Sequence, residues 1–318
     1  YRGPVSDTTL SEDRSLSSRA DRRSAAAPFP GIWISDQPIA SPLRTANQLT
    51  SRGAIPEAIS YLKTALKKPP KTLPKTQLAD TYLLLGQLLG QSGKGPEAIK
   101  PLSNALKLVP QDVRIILLLA TAYQEKGQLE AALKVNTFGY KQHPENTDLI
   151  QQRITLQRNL QQWKELIVTY QEILKRAPNQ PALKIQIAFA YCELGTPSEA
   201  LTILKSSLSV HPHYLETASQ LSRILSTHPD PKVRSPHEAL ILAERLCKMT
   251  KDKNSSFLLT KALALANQEK FKDAQQITAA LLRQLPPQHP LALKAQSIQD
   301  SAQKGKAIRH PHWPKVSK

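Results

Sequence analysis

Two cysteines, Cys192 and Cys247, are too few among 318 residues for a disulfide framework. They also lack the paired spacing of a zinc site, so two buried thiols are expected. Glycine is scarce at 11 residues, about half its usual share, which argues against glycine-rich phosphate loops. Aromatic residues make up 5% of the chain and hydrophobic residues 40%. Both figures suit an elongated molecule with much surface for its volume. No apolar run approaches the roughly 18 residues that a membrane span requires. The chain starts at Tyr1 rather than Met. Removal of an upstream signal or anchor would fit a bacterial-type cell envelope, the expectation carried forward, although two thiols fit a reducing cytoplasm equally well.

What the chain has in excess is positive charge and proline. The formal charge is +18. Residues 1–38 hold five arginines and five acids and are neutral, and residues 289–318 carry +5, which leaves +13 for the stretch between. A field of that sign favours anionic partners, namely nucleic acid, anionic lipid or acidic protein segments. The ordinary alternative is a solvated, soluble surface. Residues 1–38 are rich in Ser, Arg, Ala and Pro without periodicity and read as a tail or linker. An apolar island, Phe29-Pro30-Gly31-Ile32-Trp33-Ile34, interrupts them. It reads either as a strand-like cover over the first helix pair or as a short docking motif.

The prolines, 25 in all, expose a period. Pro110, Pro144, Pro178 and Pro212 stand 34 residues apart. Gly93 and Gly127 share that step and Gly195 resumes it after a gap. Ala98, Ala132 and Ala200 do the same, and Tyr123 and Tyr191 lie two periods apart. Self-similarity at this length marks a repeat architecture. Each unit divides into two amphipathic helices. In Leu78–Gln91 the residues Leu78, Tyr82, Leu85 and Leu89 share a face. A Ser-Gly-Lys-Gly turn follows, and Pro96 suits the first turn of the second helix, where its missing N–H costs nothing. That helix turns Ala98, Leu102, Ala105 and Leu106 inward, and Pro110 ends the pair. Small residues let paired axes approach, while large ones fill the space between pairs. No pair buries its own apolar face, so the units must stack.

These marks resemble the tetratricopeptide repeat, whose pattern runs from a large residue through Leu-Gly and Tyr to Ala, an aromatic, Ala and Pro. One unit reads Tyr82, Leu85-Gly86, Leu89, Ala98, Leu102, Ala105, Pro110, and the next reads Leu119-Ala120, Tyr123, Ala132, Asn136, Gly139, Pro144. The resemblance implies an all-α, right-handed α-solenoid of antiparallel helix pairs. It covers residues 39–288 as about seven units, near 39–72, 79–112, 113–146, 147–180, 181–214, 215–253 and 255–288. A capping helix at 289–303 and a basic tail at 304–318 complete the expected order. The fourth unit departs from the pattern with Ile154, Gln157 and Leu166. Looser packing is expected there, with Trp163 filling the gap. About six extra residues, Leu73–Leu78, separate the first two units, and an insertion near Thr227–Lys232 enters the sixth.

In this family the first helix of each unit lines a concave face that binds an extended peptide. The resemblance therefore assigns a partner-binding groove to Asp80, Gln87, Arg114, Thr121, Gln124, Glu125, Asp148, Gln151, Arg158, Asn159, Phe189, Glu193 and Arg223. Leu83, Leu117, Thr155, Ile185, Cys192, Glu216 and Ser219 fall on the same positions. The groove mixes both signs of charge, so the excess of cations lies elsewhere. Some relatives grip a peptide carboxylate with Lys and Asn at fixed positions. Asn47 matches one, but Leu43, Leu83 and Gln87 occupy others, and that clamp is not expected. Acids along the groove also speak against a base-reading RNA solenoid.

The densest basic segment is Lys63, Lys67, Lys68, Lys71 and Lys75, with no acid between Glu57 and Asp80. It reads as a dock for an anionic partner or as a solvated loop, and only Tyr61 offers a stacking platform. Ser92-Gly93-Lys94-Gly95 lacks phosphate-loop spacing. His211-Pro212-His213 and His310-Pro311-His312 each lack a third metal ligand. No nucleophile stands with a base, so no catalytic residue, metal or cofactor is assigned. The expectation is a non-catalytic scaffold or adaptor that binds a protein or peptide segment of unknown identity. The alternatives are the repeat region of a larger enzyme such as a glycosyltransferase, or a basic-rim adaptor for nucleic acid or anionic membrane.

Overall fold

The computed structural model describes residues 41–70 and 72–309. The apolar island at 29–34, Lys71 and the end of the basic tail lie outside the described residues. Within them the chain forms fifteen α-helices and no strand. The first pair is α1 (Pro42–Ser51) and α2 (Ile55–Ala65), followed by α3 (Lys75–Gln91) and α4 (Gly95–Leu108). Next come α5 (Val113–Glu125) with α6 (Leu129–Gln142), and α7 (Thr147–Asn159) with α8 (Trp163–Arg176). The succeeding pairs are α9 (Pro181–Glu193) with α10 (Pro197–Val210), α11 (Leu215–Thr227) with α12 (Pro236–Met249), and α13 (Ser255–Asn267) with α14 (Phe271–Gln284). A last helix, α15 (Pro290–Gln303), packs on α13 and α14.

Local chemistry sets the breaks. Pro110, Pro144, Pro178 and Pro212 each fall in the connection between one pair and the next. Proline withdraws a backbone donor there and turns the preceding residue away from helix. Side chains then restart the helices: Asp112 accepts from the Arg114 N–H, Asn146 from Leu149, and Asn254 from Ser256 and Phe257. The turns inside pairs use a left-handed residue at Gly93, Gly127 and Gly195 (φ of +70°, +78° and +82°). Gln161 fills the corresponding place in the fourth pair at φ +55°, although glycine is the residue that adopts this conformation without strain. Helix α3 starts at Lys75, three residues before the first apolar position, because its opening turn is polar and exposed.

Small residues lie at the helix crossings. Ala98, Ala105, Ala120 and Ala132 are all wholly buried or within 1% of it. A Cβ placed on Gly86 would stand 2.5 Å from Leu102 Cγ, so this crossing admits only glycine without repacking. The buried apolar core is nearly continuous from Ala46 to Ala122 and again from Ala188 to Ala302. Between them the fill turns polar. Asn136, Gln157 and Thr169 are buried where the neighbouring pairs place hydrocarbon. Asn136 Nδ2 donates to the Leu149 carbonyl at 2.9 Å, and the Thr169 hydroxyl to Gln157 Oε1 at 3.0 Å. Arg153 lies 5.0 Å over the Tyr140 ring and bonds Thr137 and Thr169. Trp163 meets Phe189 edge-on at 6.1 Å and packs with Ile167 and Ile187, taking the space that the fourth unit's pattern left open.

Candidate functional site

Contacts between helices decide which side of the stack is inner. The first helices touch across pairs: α1 with α3, α3 with α5, α5 with α7, α9 with α11, α11 with α13, and α13 with α15. Second helices make no such close backbone approach to one another among the described residues and meet through long side chains instead, as Lys63 does with Glu97 and Tyr140 with Glu172. A stack whose first helices are packed and whose second helices are splayed curves with the first helices inside. The inner wall loosens at one place, since α7 and α9 lack the close backbone approach seen between the other first helices.

Most residues assigned to the groove lie on this wall with polar groups accessible. Arg114, Thr121, Glu125, Asp148, Gln151, Arg158, Asn159 and Phe189 are exposed, and Asp80, Gln87, Gln124 and Glu193 are partly so. Several are already linked. Arg114 Nη2 sits 2.7 Å from Asp112 Oδ2 and 3.4 Å from Asp80 Oδ1, one repeat away. The hydrogen bond from Arg114 holds the Asp112 carboxyl below its ordinary pKa, and Asp112 in turn raises that of Arg114. Arg158 Nη2 reaches the Tyr170 hydroxyl at 3.0 Å and Gln186 Oε1 at 3.4 Å, so a side chain bridges the loose joint between α7 and α9. Gln152, missed by the sequence pattern, donates to the Leu117 carbonyl at 3.0 Å and to the Thr121 hydroxyl at 3.1 Å.

Three of the related positions are largely covered. Leu83, Cys192 and Ser219 are buried, at 3%, 1% and 6% exposure. Contacts between neighbouring first helices cover them, α1 lying on α3 and α11 lying on α9 and α13. Arg223 is intermediate: it lines the inner wall, yet its Nε is enclosed without a hydrogen-bond acceptor. The wall also extends past Arg223 onto α13 and α15. There Thr260, Lys294 and their neighbours line a cavity of about 310 Å³.

In the basic segment, Lys67, Lys68 and Lys75 are exposed, whereas Lys63 already bridges to Glu97 at 2.7 Å. Burial pushes the Cys247 thiol up to about 11 and that of Cys192 higher still. Neither is available as a thiolate at neutral pH. Among the described residues no three His, Cys, Asp or Glu side chains gather as a metal site. No described helix is long and apolar enough to cross a membrane.

No family model matches the sequence. The chain is 26% identical over 246 residues to tetratricopeptide repeat protein 21B of Xenopus laevis, over 69% of this chain and 19% of that protein. It thus spans about a fifth of that relative's length. A chain of the Naa15/Naa10 complex bound to HypK-THB superposes with a TM-score of 0.50 at 20% identity, over 82% of this chain and 39% of that one. YrrB, described as a tetratricopeptide-repeat protein with an unusual peptide-binding site, gives 0.42 at 16% identity, over 55% and 88%. Helix pairs stepping by 34 residues, with small side chains at the crossings and prolines between pairs, give the chain an all-α helical-repeat fold similar to that of the tetratricopeptide-repeat proteins.

Proposed function

We propose that the chain is a non-catalytic interaction scaffold that holds a peptide or protein segment along its inner wall. The observation that carries this reading is the row of exposed and half-exposed polar side chains on α3, α5, α7 and α9, of which α3, α5 and α7 pack one on the next. A preordered surface of this kind binds without the cost of organising a loop. Its mixed signs, with Asp80, Glu125 and Asp148 beside Arg114 and Arg158, suit a partner read by matched polar contacts.

Selection of random dodecapeptides displayed on phage tests the reading. Peptides enriched on the wild-type chain should lose roughly tenfold or more in affinity to the double variant Arg114→Glu, Arg158→Glu, with helical circular dichroism unchanged. Undiminished binding to that variant would overturn the assignment of the inner wall. Recovery of no peptide at all would count against the scaffold reading itself.

A further inference from the structure

Arg223 is poorly explained by folding alone. It stands on α11 one turn from both Ser219 and Thr227, and it lines two cavities at this end of the wall. Among the described residues no carboxylate comes within ion-pair distance of its guanidinium. Desolvation draws its pKa below that of an ordinary arginine, with the nearby Cys192 thiol acting weakly the other way. An enclosed cation without a partner is unfavourable, and an arriving anion relieves that.

The larger cavity has the rest of an anion site. Lys294 on α15 brings a second, exposed cation to its edge, and no acidic side chain lines it. The hydroxyls of Ser219 and Thr260 meet across α11 and α13 at 3.2 Å, and that of Thr260 donates to the Ser256 carbonyl at 3.0 Å, so they give the cavity a polar side. Apolar surface adjoins these groups, supplied by Leu259, Leu263 and Leu291. A phosphate backbone or a lipid headgroup would leave that apolar surface unused. A peptide that carries a carboxylate next to an aliphatic side chain fills both parts. The contrast with the wall near α3 and α5 is clear, because there Asp80 and Asp112 already neutralise Arg114.

We infer that the cavity between α11, α13 and α15 receives an acidic side chain of a bound peptide, held by Arg223 and Lys294, with the adjoining aliphatic residue on the leucine floor. This rests on the inner-wall reading above and gives one segment of that wall a chemical preference.

The same phage library, selected on wild type, Arg223→Gln and Lys294→Gln, tests it. On wild type an acidic residue beside Leu, Ile or Val should recur among the enriched peptides. A synthetic peptide carrying that pattern should bind roughly tenfold more weakly to either variant, and its own Glu-to-Gln copy should bind equally weakly to wild type. Arg223 is partly enclosed, so its variant is checked by thermal melting. Lys294 is exposed, and its variant separates binding from folding. Enriched peptides without the acidic pattern, or an affinity indifferent to Lys294→Gln and to the peptide's carboxylate, would overturn the inference while leaving the inner-wall reading in place. An empty selection would instead remove the reading on which it rests.

Discussion

At the scale of residues, the chain departs from its own period most plainly at Gln161. Its backbone is left-handed where Gly93, Gly127 and Gly195 serve in other pairs. A left-handed non-glycine residue costs about 1–2 kcal/mol, part of which glycine's greater unfolded freedom cancels. Gln161→Gly is expected to raise stability by roughly 0.5–1 kcal/mol, measured by urea denaturation. The sequence shows a skipped glycine at this step but not that the turn survives the skip, because the Trp163 N–H still closes on the Gln161 carbonyl.

The cysteines give a second residue-scale prediction. Their folded pKa values lie above the ordinary thiol value near 8.5. Their contribution to stability is therefore constant below about pH 8.5 and is lost as pH rises toward the folded values, since only the unfolded chain then ionises. Iodoacetamide at about pH 8 should leave both thiols unmodified in the folded protein and label both in denaturant. Labelling of the native protein within minutes would contradict their burial.

At the scale of elements, the period, the helix pairing and the small crossing residues are all legible in the sequence. They follow from local steric rules that proline, glycine and alanine obey in any context. The fourth unit is legible only as a departure. That Gln157 is buried against Thr169, and Asn136 against the end of α7, depends on side chains from three helices finding one another. Polar fill of this kind gains less on burial than hydrocarbon does, and Asn136 Oδ1 is buried without a hydrogen-bond donor. Amide protons of α7 and the facing turns of α6 and α8 should accordingly exchange faster than those of α3 or α13, read by hydrogen exchange with mass spectrometry. Equal protection along the array would show that the polar seam is no weaker than the apolar core on either side. Replacing Asn136 by Leu does not repair the seam by itself, because it takes the side-chain amide donor away from both Gln152 Oε1 and the Leu149 carbonyl.

At the scale of the whole molecule, the run of first helices that forms the inner wall was legible as far as α9 and faded beyond it. Stepping one period from Arg223 lands on Phe257, a core residue at 3% exposure. The insertion between α11 and α12 shifts the register, so that Ser219 instead faces Thr260, 41 residues on. Only the folded chain reveals that α13 and α15 prolong the wall. Charge belongs to this scale as well. The formal +18 surrounds a wall of mixed sign, and the unpaired Lys67, Lys68 and Lys75 lie on the segment between α2 and α3. Peptides held by the wall should lose only a few-fold in affinity between about 50 and 200 mM salt, whereas a polyanion on the three lysines should lose roughly fortyfold. Isothermal titration at the two salt concentrations separates these cases.

The loose joint between α7 and α9, spanned by the Arg158 side chain, bears on the length of what the proposed inner wall can hold. Each side of the joint offers a surface whose members are already fixed by their neighbours. A ligand that crosses the joint must also fix the angle between the two sides, and part of its binding energy is consumed in doing so. One long segment is thereby handicapped against two short ones bound separately. If the inner wall holds peptide as proposed, the array suits two short segments side by side, spaced by the joint between the fourth pair and the fifth.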